Sequence, residues 1–238
     1  MFQDDSVCLE TEGHYGIIYD MSNISVNYKN LIEEIGGRAS LVAVTKLHEV
    51  SEIEELLDCG ARIVGENRVE EVERKYGDGE LRKRYPGLEL HLIGHLQSRK
   101  ARKAVEYCDW IDSVDSLELA EKISRCAGEL GKTVRIMLEV NVSGEEQKYG
   151  LSPEDVPALA KAVVKLPNLE LYGLMCMAPF VEDDELIRGV FAGLRKLRDE
   201  VKASVPSCVK LSMGMSHDYR LALLEGSDFL RIGSRLFA

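Results

Sequence analysis

The sequence predicts a single α/β domain, a parallel barrel of eight strands and eight helices, and three observations lead to that prediction. Eight apolar runs rich in β-branched residues recur along the chain, amphipathic segments of ordinary helix length separate them, and the connections are short. The length of 238 residues matches the size typical of a β/α barrel. A doubly wound open sheet is the alternative, but the sequence lacks the G-x-G-x-x-G turn expected after an early strand.

Apolar runs predict the strands, and apolar side chains spaced three or four residues apart predict the helices. Gly36-Gly37 ends the first helix, Pro86-Gly87 makes a turn, Ser152-Pro153-Glu154 begins the sixth helix, and Ser216 is expected to cap the eighth. The predicted strands are residues 40–46, 61–65, 88–95, 110–111, 134–142, 169–175, 209–213 and 229–232. The predicted helices are residues 22–35, 50–59, 67–84, 98–107, 116–130, 152–165, 183–203 and 216–225.

Composition narrows the possible partners. The net charge of −11 argues against nucleic acid or an anionic membrane as the main partner, and no apolar run is long enough to span a bilayer. Six scattered cysteines without a C-x-x-C pair are typical of a reduced cytoplasmic protein, without disulfides or a zinc site. Residues 1–20 carry five acidic groups and no lysine or arginine. We therefore expect a loosely ordered extension over residues 1–20 and one folded domain over residues 21–238.

The first predicted strand ends in a lysine. Side chains alternate across a strand, so Val42, Val44 and Lys46 share one apolar face. Burial disfavours the charged ammonium form, and a neutral lysine amine can form a Schiff base with an aldehyde. The alternative is a lysine at a strand end whose ammonium group reaches water or pairs with a carboxylate.

The last two predicted strands end in hydroxyl groups and glycines. Ser212 and Gly214 lie at the end of the seventh strand, and Gly233 and Ser234 follow the eighth. Barrels of this kind frequently build a phosphate site there, because glycines let the backbone approach an anion closely. Such exits also occur in ordinary loops.

Arg231 completes this set of candidate residues. Strands one and eight are neighbours in a closed barrel, so Arg231 and Lys46 face one pocket if both point inward. Alternatively, Arg231 is the partner of a buried carboxylate such as Glu139 or Glu66. A Schiff-base lysine, a buried cation and a phosphate site are together the parts needed to hold pyridoxal 5′-phosphate. An arginine at the pyridine nitrogen cannot accept its proton, so the ring would be a weak electron sink, suited to restrained chemistry or to carriage.

Other polar residues are less specific. Asn67, after the second strand, could hydrogen-bond a ligand or cap the next helix. His95 could line the pocket or be structural, and no second ligand pair accompanies His91 and His95 to indicate a metal site. The basic run at residues 98–103 is interpreted as a solvated helix face, and residues 145–148 as an exposed loop.

Seven segments in order resemble the pyridoxal 5′-phosphate homeostasis protein family, whose members are similar to the N-terminal barrel domain of alanine racemase. The segments are VAVTK at 42–46, GENRVEE at 65–71, HLIGHLQSRK at 91–100, VNVSGEEQKYG at 140–150, GLMCMAP at 173–179, LSMGMS at 211–216 and RIGS at 231–234. The resemblance covers residues 22–238. It implies a TIM-type barrel that carries the cofactor on Lys46, with Arg231 at the pyridine nitrogen.

The resemblance also implies further cofactor contacts. Phosphate contacts are implied for Ser212, Gly214, Gly233 and Ser234, and a position near the ring for Asn67. No residue is implied to have an established catalytic role. The chain departs from the family pattern at residue 68, where an aromatic is frequent, and at residue 99, where asparagine is common. Neither departure removes an implied cofactor contact.

The family is associated with control of free cofactor levels. The resemblance implies a role in vitamin B6 homeostasis without robust turnover. We expect a monomer that releases the cofactor to other proteins, among them apoenzymes that require it. Alanine racemase closes its site with a β-rich domain that donates a catalytic tyrosine, and the sequence ends at Ala238, just after the eighth strand, so we do not expect that group here. The alternatives are a weak amino-acid racemase that uses the same cofactor and a class I aldolase-type barrel whose lysine binds a sugar phosphate.

Overall fold

The chain forms a closed barrel of eight parallel strands, as predicted. The computed structural model describes residues 23–145 and 147–238, so the expected extension at residues 1–20 lies outside the described residues. The strands are β1 Ser40–Val44, β2 Ile63–Glu66, β3 Glu89–Leu92, β4 Trp110–Val114, β5 Val134–Glu139, β6 Leu169–Met175, β7 Lys210–Ser212 and β8 Phe229–Ile232. They pair in sequence order, and β1 closes the barrel by pairing with β8.

Helices follow the strands and pack on the outside of the barrel. They are α1 Asn23–Ile35, α2 Val50–Asp58, α3 Val69–Tyr76, α4 Glu80–Arg84, α5 Ala101–Tyr107, α6 Leu117–Glu129, α7 Val156–Val163, α8 Asp184–Ser204 and α9 Tyr219–Leu224. In α8 the buried side chains of Ile187, Val190, Phe191 and Leu194 recur at the spacing that places them on one helix face. No helix in the described part of the chain is both long and apolar enough to cross a membrane.

Two predicted helices differ from the observed ones. The single helix expected over residues 67–84 is two helices, because the chain turns at Gly79, whose φ of 74° is in the left-handed region that favours glycine. The expected cap by Ser216 is wrong. The carboxylate of Asp218 instead accepts a hydrogen bond from the backbone N–H of Met215, at 2.5 Å, and α9 begins at Tyr219.

Several strands are shorter at their carboxyl ends than the sequence predicts. β1, β3 and β5 end at Val44, Leu92 and Glu139, two or three residues before their predicted ends at 46, 95 and 142. After β1 the backbone turns sharply, and Leu47 has a φ of 69°. Lys46 and His95 therefore lie in loops at the carboxyl end of the barrel, which we call the barrel mouth.

The core has two layers. Val42, Trp110, Met137, Met175 and Phe229 pack against one another inside the barrel. A larger cluster fills the space between the strands and the helices, and alternate residues of β1 and β8 belong to it. The predicted alternation of faces is thus confirmed in both strands. Burying each large apolar side chain contributes about 1.5–3 kcal/mol to folding.

Side chains fill the barrel interior at the end where the strands begin. The indole N–H of Trp110 donates to the Glu89 carboxylate at 3.0 Å, and the Arg135 guanidinium lies 5.3 Å from the centre of the Trp110 ring. Above them, His91 Nδ1 lies 3.2 Å from both carboxylate oxygens of Asp112, and both side chains are fully buried. The polar groups that remain open to ligands therefore lie at the barrel mouth.

Candidate functional site

A buried arginine on β8 is fixed at the centre of the barrel mouth. Arg231 is paired in register with Val42, which faces the interior, and it is 4% exposed. One guanidinium nitrogen donates to Ser212 Oγ and the other to the carbonyl oxygen of Cys176, each at 2.8 Å. Within residues 23–145 and 147–238, no carboxylate forms an ion pair with Arg231. The site therefore contains a positioned positive charge with little solvent around it.

Lys46 lies at the edge of the same mouth, but it is exposed. The expected position at the end of the first strand is wrong, because β1 ends two residues earlier and the chain turns into a loop. The exposed side chain agrees with the alternative in which the ammonium group reaches water. Among the described residues, its ammonium group has no hydrogen-bond or ion-pair partner. Lys46 is therefore available to a ligand that enters the mouth.

The backbone behind Lys46 is held by a buried polar network that sequence reasoning missed. Lys75 Nζ lies 2.8 Å from the Thr45 carbonyl oxygen and 2.8 Å from Glu66 Oε1. The Thr45 hydroxyl donates to the same Glu66 oxygen at 2.7 Å and lies 2.9 Å from the Tyr76 hydroxyl. The spacing of Lys75 from the apolar residues of α3 was the available signal, since it places a lysine on the buried helix face.

This network also excludes the alternative in which Glu66 pairs with Arg231. Its ion pair with Lys75 is completely buried on both sides. Glu66 is therefore not the partner that the sequence alternative gave to Arg231.

Asn67 follows β2 and offers an unused acceptor. The side chain is half-buried, and its Oδ1 atom is buried without a hydrogen-bond partner in the described part of the chain. The N-cap residue of α3 is Arg68. Asn67 is thus not the helix cap that the alternative interpretation proposed. A buried acceptor without a partner costs free energy unless a ligand or water supplies a donor.

The strand exits after β7 and β8 are built around two glycines. Gly214 has a φ of 94°, and its carbonyl oxygen accepts the backbone N–H of Arg231 at 2.9 Å. A Cβ atom on Gly233 would lie 3.1 Å from the Val44 carbonyl oxygen, so the residue brings β8 close to β1. Ser212 is fully buried beneath them, whereas Ser234 is exposed at the rim. Hydrogen bonds thus join Ser212, Gly214 and Arg231, whereas none joins Lys46, Asn67 or Ser234 to them in the described residues.

Glu139 is the last residue of β5, and the sequence suggested only that it pairs with Arg231. It is 3% exposed, and its Oε2 atom is buried without a hydrogen-bond partner among the described residues. Burial and the nearby Asp115 carboxylate raise the pKa of Glu139 to about 7, although the positive charge of Arg231 opposes the increase. At neutral pH this carboxyl group is therefore partly protonated.

His95 lines the rim between the loops that follow β3, β4 and β5. Its ring stacks on Tyr149, with 3.9 Å between the ring centroids, and its Nδ1 atom lies 3.5 Å from Asp115 Oδ2. In the loop predicted to be exposed, Gln147 is exposed, whereas Glu145 and Lys148 are half-buried and pair with each other. In residues 23–145 and 147–238, no three His, Cys, Asp or Glu side chains are placed to hold a metal ion.

The basic run at residues 98–103 is a charged helix face, as interpreted from the sequence. Lys100, Arg102 and Lys103 each form an ion pair with a glutamate on a neighbouring helix. The partners are Glu70, Glu129 and Glu73.

The fold and the site at its mouth define a protein of the alanine racemase N-terminal domain class. The family model described as alanine racemase, N-terminal domain matches residues 19–238. The chain belongs to the pyridoxal phosphate homeostasis protein family. It is 38% identical to the pyridoxal phosphate homeostasis protein of Aquifex aeolicus over 200 residues, 84% of this chain and 86% of that protein. It is 37% identical to the human protein of that name over 208 residues, 83% of this chain and 75% of that protein.

Solved structures show the same relationship. PipY of Synechococcus elongatus PCC7942 with PLP bound is 37% identical, with a TM-score of 0.83 that covers 90% of this chain and 100% of that one. An alanine racemase from Clostridium difficile aligns with a TM-score of 0.76 at 15% identity, covering 90% of this chain and 56% of that one. The second similarity shows the fold alone.

Proposed function

We propose that this protein binds pyridoxal 5′-phosphate through a Schiff base with Lys46 and takes part in vitamin B6 homeostasis in the cytoplasm, without robust catalytic turnover. Two observations at the barrel mouth carry the proposal: an exposed lysine that has no partner among the described residues, and a buried arginine whose two donors are fixed. The relatives named for pyridoxal phosphate homeostasis and the PipY structure with PLP bound support it.

The polar groups of the mouth fit this cofactor. The buried oxygens Asn67 Oδ1 and Glu139 Oε2 have no partner in the described residues, so the mouth offers hydrogen-bonding capacity that the protein itself does not use. Arg231 supplies positive charge, and glycine backbone at the ends of β7 and β8 allows close approach of a phosphate. The proposed binding residues are Lys46, Asn67, Ser212, Gly214, Arg231, Gly233 and Ser234.

The proposed chemistry is reversible capture. The Lys46 ammonium group would first give a proton to solvent, and the amine would then attack the aldehyde carbon, so that a C=N bond would form and the aldehyde oxygen would leave as water. A guanidinium group donates hydrogen bonds and accepts none, so Arg231 cannot take the role of a carboxylate that holds a proton on the pyridine nitrogen. Hydrolysis of the same bond releases the aldehyde to other proteins, which we propose include apoenzymes that require the cofactor.

Absorption spectroscopy tests the proposal. Purified protein is expected to show a visible Schiff-base band after addition of pyridoxal 5′-phosphate, and borohydride is expected to fix the ligand covalently on the peptide that contains Lys46. Lys46→Ala should lose both signals, whereas Lys29→Ala, which removes an exposed lysine of α1, should keep them. A colourless wild type that takes up no ligand would contradict the proposal and favour the sugar-phosphate barrel.

Two further measurements test the absence of turnover and the proposed monomer. Incubation with L-alanine or D-alanine is expected to leave each enantiomer unchanged, and conversion of one into the other would favour the weak racemase. Light scattering coupled to size-exclusion chromatography is expected to give the mass of one chain.

A further inference from the structure

Glu139 is a buried carboxyl group that the proposed Schiff-base chemistry does not use. It ends β5 at the barrel mouth, is 3% exposed, and has a buried Oε2 atom without a partner in residues 23–145 and 147–238. Hydrogen bonds hold the backbone at this position. The carbonyl oxygen of Glu139 accepts from Leu151 N–H at 2.8 Å, and the N–H of the following residue, Val140, donates to the Met175 carbonyl oxygen. The side chain is therefore held at the mouth without an internal partner for that oxygen.

Several neighbouring elements place charged groups around Glu139. Asp115, at the end of β4, repels its negative form, and Arg231 on β8 attracts it. Lys148, in the loop after β5, is already paired with Glu145. On β4, the carboxylate of Asp112 is already engaged with His91.

The nearest groups of β6 and β7 add no charge around Glu139. The residue after β6, Cys176, stays a neutral thiol, because burial raises its pKa to about 12. Ser212 on β7 carries no charge and is bound to Arg231. The titration of Glu139 therefore depends chiefly on its burial, then on Asp115 and Arg231, and on the ligand that enters the mouth.

An anionic ligand shifts the protonation equilibrium of Glu139 towards the neutral acid. A second negative charge in a poorly solvated site disfavours the carboxylate and favours the neutral acid. A neutral carboxylic acid has an O–H donor that an anionic oxygen can accept, as in other sites where a buried carboxyl group stays protonated at neutral pH. A carboxylate offers only acceptors to the same oxygen.

We infer that Glu139 contacts the bound ligand in its neutral form, donating a hydrogen bond to an anionic oxygen, so that the protein takes up a proton when the phosphorylated cofactor binds. This inference rests on the proposed function, because it assumes that a phosphorylated pyridine compound occupies the mouth. It adds a ligand-contacting residue that the sequence resemblance did not imply, and it makes cofactor retention sensitive to pH.

The test uses pyridoxine 5′-phosphate, which carries an alcohol in place of the aldehyde and so separates this contact from the chemistry of Lys46. Its dissociation constant is measured by calorimetry from pH 6 to pH 8.5 for the wild type, Glu139→Gln and Glu139→Ala. Glu139→Gln keeps a donor and cannot titrate. Glu89→Gln, at the opposite end of the barrel interior, is the matched control.

The wild-type dissociation constant is divided by that of Glu139→Gln at each pH. Ionisation of the ligand phosphate affects both constants equally, so it does not change this ratio. With the Glu139 pKa near 7, the ratio is expected to increase about tenfold from low pH to pH 8, because each pH unit above the pKa lowers the neutral fraction about tenfold. Repeating the titration in buffers of different ionisation enthalpy should show about one more proton taken up by the wild type near pH 8. Glu139→Ala should bind more weakly than Glu139→Gln at every pH.

Equal pH profiles and equal proton uptake for the wild type and Glu139→Gln would overturn the inference. Equal affinity of Glu139→Ala and Glu139→Gln would also overturn it, since no donor would then be in use. In both cases a normal Schiff-base band with pyridoxal 5′-phosphate would leave the proposed function intact. If neither the wild type nor Glu139→Gln binds the phosphorylated compound at any pH, the proposed function and the inference both fail.

Discussion

The ammonium group of Lys75 lies 2.8 Å from the carbonyl oxygen of Thr45, the residue that precedes Lys46. The same group pairs at 2.8 Å with Glu66, the residue that precedes Asn67. One buried cation on α3 therefore joins the ends of β1 and β2, directly behind two side chains of the proposed site. This arrangement makes Lys75 a positioning residue for both.

Lys75→Met is expected to lower the free energy of unfolding by about 3–5 kcal/mol, because removal of one partner leaves the Glu66 carboxylate buried without a counter-charge. Urea unfolding measures this loss. The variant should also bind pyridoxal 5′-phosphate more weakly, since the loop that carries Lys46 loses its anchor. Lys83→Met is the control, because it removes a lysine whose pair with Glu80 is exposed, and it should change stability little. Similar stability of the two variants would contradict the contribution of the buried ion pair, and unchanged affinity of Lys75→Met for pyridoxal 5′-phosphate would contradict the positioning role.

The sequence predicted the barrel because the apolar runs and their alternation are local features. It correctly separated the face of β1 that carries Val42 and the face of β8 that carries Arg231 from the opposite faces, since the two-residue period of a strand fixes which side chains share a face. The structure shows that these two faces are the interior ones. It misjudged Lys46, because nothing in the run itself indicates that β1 ends at Val44, two residues before the lysine. Whether a run remains strand or turns into a loop depends on pairing with distant strands, which a single sequence does not show.

The polar networks were harder to predict for the same reason. Glu66 and Lys75 lie nine residues apart, and only the packing of α3 on β2 brings them together. Glu139 ends β5 and Asp115 directly follows the adjacent strand β4, so their mutual repulsion depends on the strand register. The resemblance to a known family identified the residues of the proposed site, but it gave no charge balance around them.

Glu139 should also make stability depend on pH in the absence of ligand. Its pKa is raised from 4.5 to about 7, so the folded state binds this proton more tightly than the unfolded state. That contribution to stability is complete below pH 4.5 and is lost as the pH rises through 7. The wild type should therefore lose roughly 3 kcal/mol relative to Glu139→Gln between these limits.

Urea unfolding at pH 5 and pH 8 measures this difference. Glu89→Gln again serves as the control and should follow the wild type at both pH values. A constant difference between Glu139→Gln and the wild type would mean that the Glu139 pKa is not raised by folding.

Gly233 is expected to resist substitution because of the close approach between β8 and β1. A Cβ atom there would lie 3.1 Å from the Val44 carbonyl oxygen and 3.3 Å from Val44 Cβ, so the backbone must shift. Gly233→Ala should therefore weaken binding of pyridoxal 5′-phosphate and lower the melting temperature. Gly189→Ala, within α8 where a Cβ atom meets nothing within 4 Å, should stabilise the protein by up to about 1 kcal/mol. Unchanged binding by Gly233→Ala would show that this exit does not contact the ligand.

Deletion of residues 1–20 tests the proposed domain boundary. The family model begins to match at residue 19, and the proposed binding residues all follow it. The shortened protein, residues 21–238, is therefore expected to retain the Schiff-base band and the affinity of the full chain, as measured by absorbance titration. A large loss of occupancy would place part of the site within the first 20 residues.

Arg231→Lys is expected to fail as a conservative substitution. The planar guanidinium donates in two directions, to Ser212 Oγ and to the Cys176 carbonyl oxygen, and a single ammonium group cannot reproduce that fork. The Cys176 carbonyl would lose a partner in a buried position, at a cost of about 1–3 kcal/mol in unfolding free energy. Because the charge is kept but its position is not, the affinity for pyridoxal 5′-phosphate should fall while the Schiff-base band still forms at saturating ligand. Ser212→Ala, which removes one acceptor of Arg231 and leaves the other, should have an intermediate effect on this affinity. Equal affinity of Arg231→Lys and the wild type would show that the positive charge alone is sufficient.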